Sequence, residues 1–250
     1  QPLFLTGSHT WATLQERQLP ETPVFDYARW LDFMESHNHN FLRMWTWEHA
    51  AWMQFTKEKV VYSPSRYRRP GPGLALDGLP KFDLAQFNED FFVRLRQRIE
   101  MARERGIYVA LMFFQGFSLD KTGSKETGHN FNAGGNAFRG HPMHKDNNIN
   151  GIDGDPNGSG SGNQVHTLDV PEITRLQEAY IRKTIDTLDG LDNVIWEISN
   201  ESHAGSVQWQ YHMIRYIHEY EKTKSMRRPV GMTGAPIENP ELYASEAEWI

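Results

Sequence analysis

The segment Val194-Ile195-Trp196-Glu197-Ile198-Ser199-Asn200-Glu201 carries the most legible chemistry in this 250-residue sequence. An apolar, β-branched run leads straight into a polar Asn-Glu pair, as where a buried strand surfaces. A carboxyl group at such a strand end, walled by aromatic and apolar neighbours, resists ionisation because burial disfavours the charged form. Glu201 could therefore stay protonated near neutrality and hand its proton to a leaving oxygen. The competing account is a polar strand end that merely caps the next helix, and position alone does not separate the two. A second apolar run, Phe41-Leu42-Arg43-Met44-Trp45, contains an arginine. A buried guanidinium is costly unless a carboxylate faces it. Glu197, deeper in the strand of Glu201, is the expected partner of Arg43.

These residues need a scaffold, and the order of elements supplies one. Strands are expected at Leu3–Gly7, Asn40–Thr46, Ile107–Phe114, Val194–Ser199 and Val230–Thr233, and residues 247–250 begin another. Between them lie helices opening near Pro23, over Asn88–Glu104, from Pro171, and over Ser206–Thr223. Each has apolar residues at helical spacing, such as Phe91, Leu95, Ile99 and Ala102. Alternation of this kind predicts an α/β fold with a parallel sheet and right-handed crossovers. Helix-to-strand connections are short, whereas strand-to-helix connections at about Trp47–Phe87 and Gln115–Val170 are long. The elaboration thus sits at the C-terminal ends of the strands, where parallel α/β folds build their sites. Residues 1–250 read as one domain with 115–170 as a loop on its active face.

The strand ending in Asn200-Glu201 resembles the fourth-strand signature of clan A glycoside hydrolases, particularly the family 5 cellulase-like group. Arg43 matches the arginine that this clan carries near the end of strand two. The resemblance implies a (β/α)8 TIM barrel, of which about five to six of the eight units are present. It also implies a retaining hydrolase in which Glu201 is the general acid/base, while the nucleophilic Glu belongs to strand seven. No carboxylate in the sequence has the context of that nucleophile. The expectation is therefore a catalytic barrel domain incomplete at its C-terminus, its nucleophile beyond residue 250. Glu197 is read as an interior ion-pair partner. The alternatives are a metal-dependent barrel hydrolase or a noncatalytic carbohydrate-binding barrel.

Substrate contacts are expected from the strand ends: His9 and Trp11 after the first, Arg43, Trp45, Trp47 and Glu48 at the second, Gln115 after the third, Asn200 and His203 beside Glu201. Flat rings stack on sugar C–H faces, and eight tryptophans suit that use. No metal or cofactor is expected. His37-Asn38-His39 precedes a strand and so lies on the face away from the site. His141 and His144 flank Pro142, which argues against helical ligand spacing. Asp153-Gly154-Asp155-Pro156-Asn157-Gly158 opens like a calcium loop, yet Gln164 stands where a bidentate Glu belongs, and a substrate-covering loop is preferred. The run Arg66-Tyr67-Arg68-Arg69 reads as a solvated loop. The net charge of -6 argues against nucleic acid or an anionic membrane as partner, and the expected partner is carbohydrate. Without cysteine there is neither disulfide nor thiolate chemistry. A start at Gln1 suits a mature form or an excised piece, with an extracellular or periplasmic location expected.

Overall fold

The computed structural model describes residues 3–19, 22–54, 56–119, 135–233 and 237–250; part of the expected 115–170 loop lies outside them. Its centre is a parallel sheet of β2 (Phe41–Met44), β7 (Tyr108–Gln115), β8 (Val194–Asn200) and β9 (Val230–Gly231) in that order. Single parallel bridges add Gly7 beside Phe41 and Trp249 beside Gly231. Neighbours in space are therefore neighbours in the strand series of the sequence, all parallel, as the alternation predicts. Of the expected first strand, only Gly7 pairs. The chains meet closely there, since a Cβ on Gly7 would lie 1.6 Å from the Phe41 carbonyl oxygen.

Helices α1 (Tyr27–Ser36), α2 (Glu89–Glu104), α3 (Pro171–Thr187) and α4 (Val207–Glu221) cover one face of this sheet. The first begins later than expected from Pro23. The Asp26 side chain accepts from the Arg29 N–H and fixes the start, a stronger signal than a nearby proline. Proline does open α3, where its missing N–H costs nothing. Apolar stripes of the helices, including Leu31, Leu95, Ile99, Tyr180, Trp209 and Met213, pack on Leu42, Val109, Leu111, Trp196 and Ile198 in one core. A short α5 (Asn239–Tyr243) follows β9.

The expected loop at 47–87 is not a plain loop. It contains β3 (Ala51–Met53), β4 (Thr56–Ser63), β5 (Tyr67–Arg68) and β6 (Asp83–Phe87). β4 pairs antiparallel with β3 and with β1 (Glu16–Gln18), and β5 pairs with β6. The basic run is likewise not a solvated loop. Arg66 and Tyr67 are buried, and the Arg66 guanidinium lies 4.0 Å from the centre of the Tyr180 ring. Arg69 pairs with Asp77 at 2.5 Å. The described part of 116–170 contains only short 3-10 turns at Gly116–Ser118, Ala137–Gly140 and Asn163–His166. It packs against the β5–β6 region through Tyr67, Phe82, Phe138, Met143 and Val165. No described helix is long and apolar enough to cross a membrane.

Candidate active site

The ends of β7 and β8 lie in register, with Gln115 opposite Asn200. Glu201 follows immediately, half-buried, with φ at +48°. A non-glycine residue in the left-handed region costs about 1–3 kcal/mol and persists only where its surroundings impose it. The surroundings here are specific. A Cβ on Gly116 would lie 2.1 Å from the Glu201 carbonyl oxygen and 2.8 Å from the Ser202 nitrogen, so only glycine fits beneath the turn. The Ser202 hydroxyl is 2.5 Å from that of Ser199 and 2.9 Å from His166 Nδ1.

Arg43 meets the partner expected for it. Its Nε donates to Glu197 Oε2 at 2.6 Å, and its Nη2 bonds both Glu197 Oε1 and Asn200 Oδ1, the latter at 3.0 Å. The Glu197 side chain is fully buried, and burial pushes its carboxyl up from the usual range, against the pull of Arg43. Asn200 donates in turn to Gln115 Oε1 at 3.0 Å. Glu197, Arg43, Asn200 and Gln115 thus form a continuous chain of hydrogen bonds under Glu201.

Beside it stand stacked rings. His9 lies over Trp45 with centroids 5.9 Å apart and planes inclined by 12°, and Trp11 adjoins Trp45 at 6.1 Å. The Arg43 guanidinium is 5.7 Å from the Trp45 ring, within cation–π range. Burial, then the Arg43 charge, holds the His9 imidazole below its ordinary value. Trp11, 43% exposed, and His9 are the open rings of this group, whereas Trp45 is buried beneath them.

Five expected contacts are buried: Trp45 and Asn200, and with them Trp47, Glu48 and Gln115, which are bonded inward. Trp47 exchanges backbone bonds with the Gln15 side chain. Glu48 accepts from the Gln115 N–H at 2.9 Å, and its other neighbours are His166 Nε2 at 2.9 Å, His141 Nε2 at 3.5 Å and Arg66 at 3.8 Å. Burial alone would raise the Glu48 carboxyl, but His166, His141 and Arg66 together hold it well below the carboxylate range. His203 is half-buried, its Nε2 donating to the Asn163 carbonyl at 3.0 Å. Sequence reading missed Gly116, His166 and Ser202. A glycine directly after a strand end was the one available signal.

His141 turns to Glu48 and not to Asp146. Asp155 accepts from the Ser159 hydroxyl at 2.6 Å and from the Gly160 N–H at 2.6 Å, so its oxygens close their own turn. Among the described residues no group of three or more His, Cys, Asp or Glu could hold a metal ion. His37 and Asn38 are exposed, with Asn38 left-handed at φ +56°, in a turn as expected.

The family model described as a domain of unknown function, DUF6298, matches residues 25–236. The chain belongs to this family. No curated protein matches the sequence. The fold of this DUF6298 chain is shared with solved glycoside hydrolases at low identity. A glycoside hydrolase family 5 mannosidase from Rhizomucor miehei aligns with TM-score 0.53 and 12% identity over 95% of this chain and 52% of its own. An endo-1,4-beta-mannanase from the same organism gives 0.52 and 13% over 98% and 65%. Endo-glycoceramidase II from Rhodococcus sp. gives 0.50 and 16% over 92% and 48%. The DUF6298 chain thus spans about half to two thirds of the length of these structures.

Proposed function

We propose that the protein is a retaining O-glycoside hydrolase of the (β/α)8 type, acting on a poly- or oligosaccharide outside the cytoplasm. The observation that carries this reading is Asn200-Glu201 at the C-terminal end of a parallel strand, Asn200 being bonded to both Arg43 and Gln115. The exposed rings of His9, stacked on Trp45, and Trp11, tilted against it, suit a sugar face. Glu201 donates its proton to the glycosidic oxygen as the bond from that oxygen to the anomeric carbon breaks. A carboxylate nucleophile bonds the same carbon. Glu201 then removes a proton from water, which attacks the anomeric carbon and frees the carboxylate. Retention requires that second carboxylate about 5–5.5 Å from the first. Glu197 is engaged by Arg43 and does not take the part.

The test uses the full-length protein on activated aryl glycosides, comparing the parent with Glu201→Ala. Turnover is expected to collapse in the variant and to return with added azide, which needs no deprotonation and leaves as a glycosyl azide. Undiminished turnover by Glu201→Ala would remove Glu201 from the mechanism. Trapping with a 2-deoxy-2-fluoro glycoside is expected to label a glutamate outside residues 1–250.

A further inference from the structure

The Glu201 turn is held from behind by a buried polar line that the proposed reaction does not use. Glu48, His166 and Ser202 are all buried, two of them essentially completely. His166 Nε2 is 2.9 Å from Glu48 Oε1, and His166 Nδ1 is 2.9 Å from Ser202 Oγ. A carboxylate only accepts, so Nε2 carries hydrogen towards Glu48, and Nδ1 on the other side of the ring shares a hydrogen bond with the Ser202 hydroxyl. Ser202 directly follows Glu201, whose backbone sits at φ +48°. The next residue is anchored in the same place, His203 Nε2 donating to the Asn163 carbonyl at 3.0 Å. Asn163 and His166 bound one 3-10 turn, Asn163–His166. That turn is seated by Gly162, at φ +71°, where a Cβ would lie 2.1 Å from the Phe138 ring. The long connection after β7 therefore reaches back to grip the two residues after Glu201.

We infer that Glu48, His166 and Ser202 are positioning residues that fix the aim of the Glu201 carboxyl, with the turn at 163–166 as their clamp. Glu48 is the anchor because its carboxylate holds the Nε2 edge of the His166 ring and so fixes the ring's orientation. The ring sets the Ser202 hydroxyl, and Ser202 keeps the preceding residue in a conformation it would otherwise leave. This inference rests on the reading of Glu201 as general acid. Misplacement by about 1 Å is enough to cost up to about a hundredfold in rate.

Ser202→Ala removes one hydroxyl without adding bulk and is the decisive variant. Its kcat/KM should fall about tenfold to a hundredfold on aryl glycosides with poor leaving groups, which need the acid, and less than about twofold where the phenol is strongly acidic. KM should stay level. His166→Asn, which keeps a polar atom near Nδ1, should recover part of what His166→Ala loses. An equal loss on both substrate types, or none, overturns the inference. Glu201→Gln is run in parallel. If it too shows no dependence on the leaving group, the reading of Glu201 falls; if it shows one and Ser202→Ala does not, only the positioning role falls. A readout independent of turnover is the crystal structure of Ser202→Ala in the full-length protein. Residue 201 should leave the left-handed region or its carboxyl should move, and an unchanged turn overturns the inference.

Discussion

Gly116 and Glu201 touch backbone to backbone: a Cβ on the glycine would stand 2.1 Å from the carbonyl oxygen of the glutamate. The contact ties the end of β7 to the turn after β8, so the position of the candidate acid depends on a residue with no functional group.

Replacing Gly116 by alanine forces this turn outward. Overpacking of this kind costs about 1–3 kcal/mol. The Gly116→Ala protein should show a lower urea midpoint with an unchanged slope, together with reduced turnover. Full stability in Gly116→Ala would mean that the turn shifts freely and is not imposed.

Removing Arg43 leaves the fully buried Glu197 carboxylate without its opposite charge. Arg43→Met should cost about 3 kcal/mol near pH 7, at the low end for a broken buried pair because Arg43 keeps some exposure. Burial already raises the Glu197 carboxyl, and without Arg43 it rises further. The folded variant then takes up a proton before the unfolded chain does, so its deficit should shrink as pH falls. Adding Glu197→Gln should recover part of the loss at pH 7. Denaturant melts at several pH values check both points.

His49 is fully buried, with Nδ1 2.9 Å from the Ser118 hydroxyl. Burial first, and then the His141 charge, lowers it to about 3. Between there and roughly 6.5 the unfolded chain holds a proton on this ring that the folded protein does not. Stability is therefore complete above about pH 6.5 and falls with acidification, by about 1.4 kcal/mol per pH unit from this ring. His49→Asn, which keeps a polar atom near Nδ1, should flatten the slope of stability against pH in that window by a similar amount. An identical slope in parent and variant refutes the assignment. Glu48, held low, begins to lose its own contribution below about pH 4.5, where the unfolded chain protonates that carboxyl, so the His49 slope is read between there and about 6.5.

Trp11 is an exposed ring set at a tilt against Trp45, next to the His9–Trp45 stack. Trp11→Ala should raise KM for an oligosaccharide about threefold to tenfold, in line with the ~0.5–1.5 kcal/mol typical of an aromatic contact. Stability should change by less than about 0.5 kcal/mol, as for other exposed positions. A KM equal to that of the parent would place the sugar elsewhere.

The parallel series was legible because parallel strands covered on both faces read as continuous apolar runs, and β7 and β8 do so. The Arg43–Glu197 pair was legible from energetics, since a charge in an apolar run demands its opposite. Other features left no local trace. His166 and Glu48 are bonded across 118 positions, and no periodicity marks a contact between two loops. Arg66 looked solvated because its neighbours are polar and Pro-Gly follows, yet Tyr180 from a distant helix receives it. The strands β3 and β5, of three and two residues and with irregular register, fall below the length at which alternation can be read.

Gln115 belongs to two polar systems at once. Its side-chain oxygen receives Asn200, and through it Arg43 and Glu197, while its backbone N–H is given to Glu48. The ion pair in the sheet and the imidazole cluster under the loops therefore share one residue as their junction. Substitutions on the two sides should be epistatic: the cost of changing Arg43 and Glu48 together should depart from the sum of the separate costs, by about 0.5–3 kcal/mol where networks are joined. Natural variation at either position then carries a constraint set by the other, and the two should drift as a unit across the family.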